Sequence, residues 1–181
     1  MAAQATIHRV QIQLSDVDRG VYEALDLRIA RHPSESMRYM LTRTLAYALS
    51  YEEGIAFSKG GISDTDEAPV AVRDPTGRLL AWIDVGTPAA ERMHKASKAA
   101  PRVSIFTHGD LALLRREALA GKVHKAEAIE VWRIDTALLD ALEPRIERHT
   151  AFDVTRSDGR LYLTLGETTL EGAVTRGSLL E

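Results

Sequence analysis

One stretch constrains the fold more than any other: Leu79-Leu80-Ala81-Trp82-Ile83-Asp84-Val85, closed by Gly86-Thr87-Pro88. An apolar run of this length, without polar alternation, fits a strand covered on both faces. Asp84 is the one charge in it. Ionised and unpaired in such a place it would cost several kcal/mol, so it requires a hydrogen-bond donor, a cation or a metal. Gly86 ends the strand, and Thr87-Pro88 predicts an N-cap followed by a proline at the first helical position. The acid therefore stands at a strand-to-helix junction, a common location for sites in α/β folds.

The rest of the chain reads around that strand. Residues 6–14 alternate imperfectly between apolar and polar, turn at 15–20 and continue through 22–29, which predicts an antiparallel hairpin. Pro33 fits the first position of a helix running to about Tyr51, with Glu35 in its first turn and Met37, Met40, Leu41, Leu45, Ala48 and Leu49 as its core stripe. A short strand follows at 55–59, then a polar, acidic loop containing Asp64, Asp66 and Glu67. Asp74-Pro75-Thr76-Gly77 is turn chemistry between two apolar runs, so 70–73 and 78–85 should pair as a hairpin. With Arg73 opposite Arg78, Asp84 lies opposite Glu67 and Asp66 opposite Val85. Directly opposite Cβ atoms are about 4.5–5.5 Å apart, so these carboxylates would converge, and a cation would relieve their repulsion. Beyond Pro88 come a helix, a strand at 103–107, a helix capped by Asp110 and followed by Gly121, a strand at 128–134, a short helix capped by Asp135, and an all-β tail turning at Ser157-Asp158-Gly159. The result is an α/β chain with a mixed sheet. From Pro33 to His108 its order is helix, three strands, helix, strand.

With 181 residues and no linker or repeat, one domain covering 1–181 is expected. The absence of cysteine excludes disulfides and thiolate metal sites. No run approaches the roughly 18 apolar residues of a membrane span, and the first fourteen residues lack a signal-peptide profile, so a cytoplasmic, monomeric protein without membrane association is expected. A net charge of -3 gives no global signature of nucleic-acid binding, so any phosphate-binding surface must be a local patch.

Ala30-Arg31-His32-Pro33-Ser34-Glu35, Phe57-Ser58-Lys59-Gly60, Asp66-Glu67, Trp82-Ile83-Asp84-Val85-Gly86-Thr87-Pro88 and Lys95-Ala96 together resemble the bacterial YaeQ family. The likeness runs from Ala5 through the Asp158-Gly159 turn. It implies a variation of the PD-(D/E)XK nuclease core over about 33–108, with an N-terminal β-hairpin and a C-terminal β extension. The element order derived from the residues is the order of that core. By position, the resemblance implies a catalytic set of Glu35, Asp66, Asp84 and Lys95, with Asp66, Glu67 and Asp84 as ligands of Mg2+ or Mn2+. The nuclease pattern places its lysine two residues after the strand acid; here that residue is Gly86, and Lys95 is the candidate to fill the same space.

Carboxylate oxygens are the ligands magnesium prefers, and the ion would polarise a phosphodiester while a lysine stabilised the developing charge. The expected function is a divalent-metal-dependent phosphodiesterase acting on nucleic acid; the alternative is a non-catalytic module of the same fold that binds a nucleic acid or a protein. Structural readings compete at every position. Asp84 could pair with an arginine or take backbone N–H groups, Glu35 could serve the helix dipole, Lys95 could pair with Glu91, and the acids of 64–67 could be a solvated loop. Arg115, Arg116, Lys122 and Lys125 could form a basic rim for a nucleic-acid backbone.

Overall fold

The computed structural model describes residues 4–60 and 65–180, so the expectation for Asp64 lies outside the described residues. The chain gathers into two compact units. One contains the residues up to Tyr51 together with Ile134–Thr175, and the other contains Glu52–Arg133 with the segment from Arg176 onward. Passages between units fall at places without glycine or proline enrichment, which is why composition leaves no mark of them. The architecture is a mixed α/β fold with mixed sheets.

In the first unit, β1 (Thr6–Asp16) and β2 (Val21–Arg31) form the expected hairpin, pairing from Thr6 opposite Arg31 to Asp16 opposite Val21. β1 then takes β8 (His149–Ser157) as a parallel neighbour, and β8 pairs antiparallel with β9 (Arg160–Leu165), which pairs with β10 (Thr168–Ser178). His8, Val10, Ile12, Leu14 and Asp16 are buried, as period-2 alternation requires. Helices α1 (Met37–Leu49) and α4 (Thr136–Leu142) belong to this unit and touch each other. Asp135 stands at the N-cap of α4 as expected, but its side chain makes no capping bond to the helix. Its carboxylate accepts the Ala173 N–H at 2.7 Å instead, tying the start of the helix to β10.

Helix α1 starts later than Pro33. Its N-cap is Ser36, whose hydroxyl accepts from the Tyr39 N–H, and residues 33–35 form a turn before it. Pro33 therefore opens the turn, and Glu35 precedes the cap. Every residue from Met40 to Ala46 is buried, so the helix is covered on all sides, not only along its apolar stripe. Thr42 and Thr44 satisfy their hydroxyls on the carbonyls of Arg38 and Met40.

The second unit carries β3 (Ile55–Phe57), β4 (Val70–Arg73), β5 (Leu79–Val85), β6 (Arg102–Thr107) and β7 (Glu130–Ile134) in that spatial order. The first three are antiparallel, and β5, β6 and β7 are parallel. Parallel neighbours need crossovers, and α2 (Ala90–Ala99) and α3 (Leu111–Ala120) supply them. Trp82, Ile105 and Val131 share one sheet face and pack with Met93, Ala96, Leu114 and Ala118 of the two helices. Helix α2 begins at Ala90 with Ala89 at the cap position, two residues later than Thr87-Pro88 suggests, and it has no side-chain cap of its own. Glu117 on α3 replaces it, accepting the Ala90 N–H at 3.3 Å. Asp110 caps α3 as expected, and Gly121 follows it.

The β4–β5 hairpin forms, but its register differs from the expected one. Val70 pairs with Ile83, Ala71 with Trp82 and Val72 with Ala81, and an irregularity between Val72 and Arg73 sets Arg73 opposite Leu79. Pairing stops at Val70, so Asp66 and Glu67 do not lie directly opposite Val85 and Asp84. A bulge absorbs residues without altering the turn signal, and the sequence carries no mark of it.

Candidate functional site

Asp84 sits at the last buried turn of pleat in β5 with 3% of its surface exposed. Its Oδ2 accepts from Arg92 Nε at 2.8 Å and from the Trp82 indole N–H at 3.1 Å, and its Oδ1 accepts the Val85 N–H at 3.0 Å. Trp82 reaches it because residues two apart on a strand share a face. Arg92 comes from the first turn of α2, eight residues on, where the helix returns across the strand end. The guanidinium also donates to the carbonyls of Thr65 and Glu67 at 3.3 and 3.0 Å and lies 5.4 Å from the centre of the Trp82 ring. Such a cation over an aromatic face is itself favourable. One arginine thus joins the strand acid, the loop ahead of β4 and the core tryptophan.

Lys95, one turn farther along α2, pairs with Asp66. Glu91, its potential partner within the helix, does not take it. The Lys95 ammonium holds the Asp66 carboxyl below the usual carboxylate range, through a hydrogen bond and the charge beside it. Glu67 turns the other way, its Oε2 accepting from the Ser58 hydroxyl at 2.8 Å. Asp66, Glu67, Asp84, Arg92 and Lys95 are therefore brought into one neighbourhood of the second unit, but the carboxylates address separate partners. Glu35 belongs to the first unit, where it is buried and held by Arg43 through Nε and Nη2 at 3.1 and 3.0 Å, with the His32 N–H on its Oε1.

A divalent ion does not fit this arrangement. Among the described residues no group of three or more histidines or acids is disposed to hold a metal ion. At Asp84 the positive charge that a buried carboxylate requires is supplied by Arg92. Gly86 has a φ of +86°, a left-handed conformation in which a lysine would be strained.

A sequence model of the YaeQ protein family matches residues 1–174. The chain belongs to the YaeQ family. It is 29% identical over 172 residues to the uncharacterized protein YaeQ of Escherichia coli (strain K12), covering 94% of both chains, and equally identical to that of Shigella flexneri. The crystal structure of the YaeQ protein from Xanthomonas axonopodis pv. citri is similar with a TM-score of 0.85 at 30% identity, over 96% of this chain and 98% of that one. The YaeQ protein from Pseudomonas syringae gives a TM-score of 0.86 at 31% identity, over 97% and 98%.

Arg92 is absent from the site expected from the sequence. The available signal was the demand Asp84 makes for a partner, together with an arginine on the helix that follows its strand. Arg43 was likewise missed. It lies inside a helix whose stripe residues are apolar, and an arginine that is 3% exposed needs a carboxylate.

Proposed function

We propose that this YaeQ-family protein is a non-catalytic interaction module. One observation carries the reading: the carboxylate of Asp84, the residue around which a metal site would be built, is held on both oxygens by Arg92, Trp82 and the Val85 N–H. A guanidinium at 2.8 Å supplies the neutralising charge, so the buried acid serves to anchor α2 and the 65–67 loop on β5. The succession α1, β3, β4, β5, α2, β6 supports retention of a PD-(D/E)XK-like core alongside this loss of metal chemistry. Likeness of fold does not transfer an activity.

The meeting of Lys95 with Asp66 near Asp84 favours a second reading, a metal-dependent phosphodiesterase using Asp66, Asp84 and Lys95. That reading requires Arg92 to leave Asp84. Calorimetric titration of the purified protein with magnesium and manganese, with a DNA and RNA cleavage assay alongside, separates the two. The module reading expects neither binding nor cleavage. Metal binding that Asp84→Asn abolishes, with turnover that Lys95→Ala removes, would overturn it.

A further inference from the structure

Among the described residues of the second unit, Arg92, Lys95, Arg102 and Arg176 each face a carboxylate. A second group of cations does not. Along α2, Ala90, His94 and Lys98 recur at intervals of four, one above another on the same helix face. The segment that follows α3 lies against this stripe. A Cβ built on Gly121 would fall 2.2 Å from the Ala90 Cβ, and the His124 N–H donates to His94 Nδ1 at 3.0 Å, with the two rings edge to face at 6.2 Å. Lys122 and Lys125 flank His124 and are exposed, as are His124 and Lys98. The side-chain ammonium groups of Lys98, Lys122 and Lys125 have no ion pair or hydrogen-bond partner among the described residues. Two acids lie nearby, Glu117, which accepts the Ala90 N–H, and the exposed Glu127, and neither makes an ion pair with these lysines.

Backbone geometry holds this ridge in place. Lys122 and Lys125 have φ values of +49° and +48°, left-handed conformations that are costly for a side-chain-bearing residue. Three contacts enforce them: the tight approach of Gly121 to Ala90, the burial of Val123 and Ala126, and the His124–His94 hydrogen bond. Arg115 is not part of the ridge, because it donates to the Ser178 carbonyl at 3.2 Å.

We infer that the ridge formed by His94, Lys98, Lys122, His124 and Lys125 binds the phosphate backbone of a nucleic acid. The inference rests on the reading of the protein as an interaction module and names its partner. Charge selects a polyanion, since the three lysines stand without counterions on a chain whose net charge is -3. The scarcity of apolar anchors selects a phosphodiester backbone over an acidic protein. Protein interfaces concentrate their affinity in buried aromatic or large apolar side chains, and among the described residues the exposed large apolar side chains near the ridge are the aliphatic Leu113 and Leu119 of α3, with no exposed tryptophan, tyrosine or phenylalanine beside them. With no exposed tryptophan, tyrosine or phenylalanine on the ridge for stacking, and the His124 ring set against His94, the contact is to phosphates and independent of base sequence.

The test uses the full chain and a short fluorescein-labelled DNA duplex, with an RNA duplex of the same sequence, and fluorescence anisotropy measured between about 50 and 200 mM salt. The triple substitution Lys98→Gln, Lys122→Gln, Lys125→Gln removes three phosphate contacts. It is expected to weaken binding at least about tenfold at the low-salt end and to lower the slope of log K against log salt by about one per lysine. Arg78→Gln, an exposed cation on the β4–β5 turn, is expected to leave both unchanged. If wild type binds neither duplex at low salt, or the triple variant keeps the wild-type slope, the ridge is refuted while the module reading stands on its metal titration. Binding through the ridge accompanied by magnesium-dependent cleavage would leave the ridge intact and refute the module reading.

Discussion

Replacement of Arg92 by methionine is the most informative perturbation of this structure. It keeps an unbranched, apolar stem beside Trp82 but removes the cation 2.8 Å from a carboxylate that is 3% exposed. Breaking a buried ion pair by deleting one partner costs about 3–5 kcal/mol, because the remaining charge stays desolvated. Asp84 keeps the Trp82 and Val85 donors, and Arg92 is itself 24% exposed, so the lower end applies, about 3 kcal/mol. Loss of the bonds to the Thr65 and Glu67 carbonyls adds up to about 1 kcal/mol, since water can replace them. A chain of this size shifts its Tm by roughly 2–4 °C per kcal/mol, so thermal unfolding followed by circular dichroism should fall by about 10 °C. The decisive comparison is the double variant with Asp84→Asn. With the charge gone, the loss of Arg92 should be less costly, and a double-mutant cycle should return a coupling of about 2 kcal/mol. Single-variant losses below about 1 kcal/mol that add without coupling would refute the role assigned to this pair.

Other expectations follow from the same reasoning. Glu35→Gln should destabilise the protein by about 3 kcal/mol in urea titration, because it leaves the buried Arg43 without a counter-charge; an effect within the noise would show that the pair is not buried in solution. Gly54→Ala should lower the urea midpoint sharply, since φ is +92° and a Cβ there would meet the Arg73 carbonyl oxygen at 2.1 Å. Asp18 accepts the backbone N–H groups of Gly159 and Asp158, which hold its carboxyl below the ordinary range. A group whose folded pKa is depressed contributes stability above its unfolded value near 3.9, and that contribution is lost as pH falls through the folded value. Wild type and Asp18→Asn should therefore differ in Tm at pH 5 and converge in strong acid; a difference that persists unchanged through the acid limb would contradict this.

Much of the fold was legible because it depends on local chemistry. The hairpin of β1 and β2 follows from alternation, β5 from an unbroken apolar run, the α3 cap from Asp110, and the β4–β5 turn from Asp74 to Gly77. The helix starts were less legible. Pro33 and Pro88 permit a first helical turn without requiring one, and Ser36 and Glu117 supplied the capping acceptors. Of the candidate site, the demand of Asp84 for a partner was readable and the partner was not.

The sequence by itself determined that Asp84 must be neutralised, that Asp66 and Glu67 precede the strand paired with its own, and that Lys95 rides the following helix. Those conclusions need only periodicity, turn chemistry and the cost of burying a charge. The tertiary structure decided how the neutralisation occurs. A bulge beside Arg73 displaces the acids from the expected register, α2 returns Arg92 onto Asp84, and Gly86 leaves the strand in a left-handed conformation that favours glycine. Partner choice among distant charges depends on ångström-scale placement of elements, which local sequence does not encode.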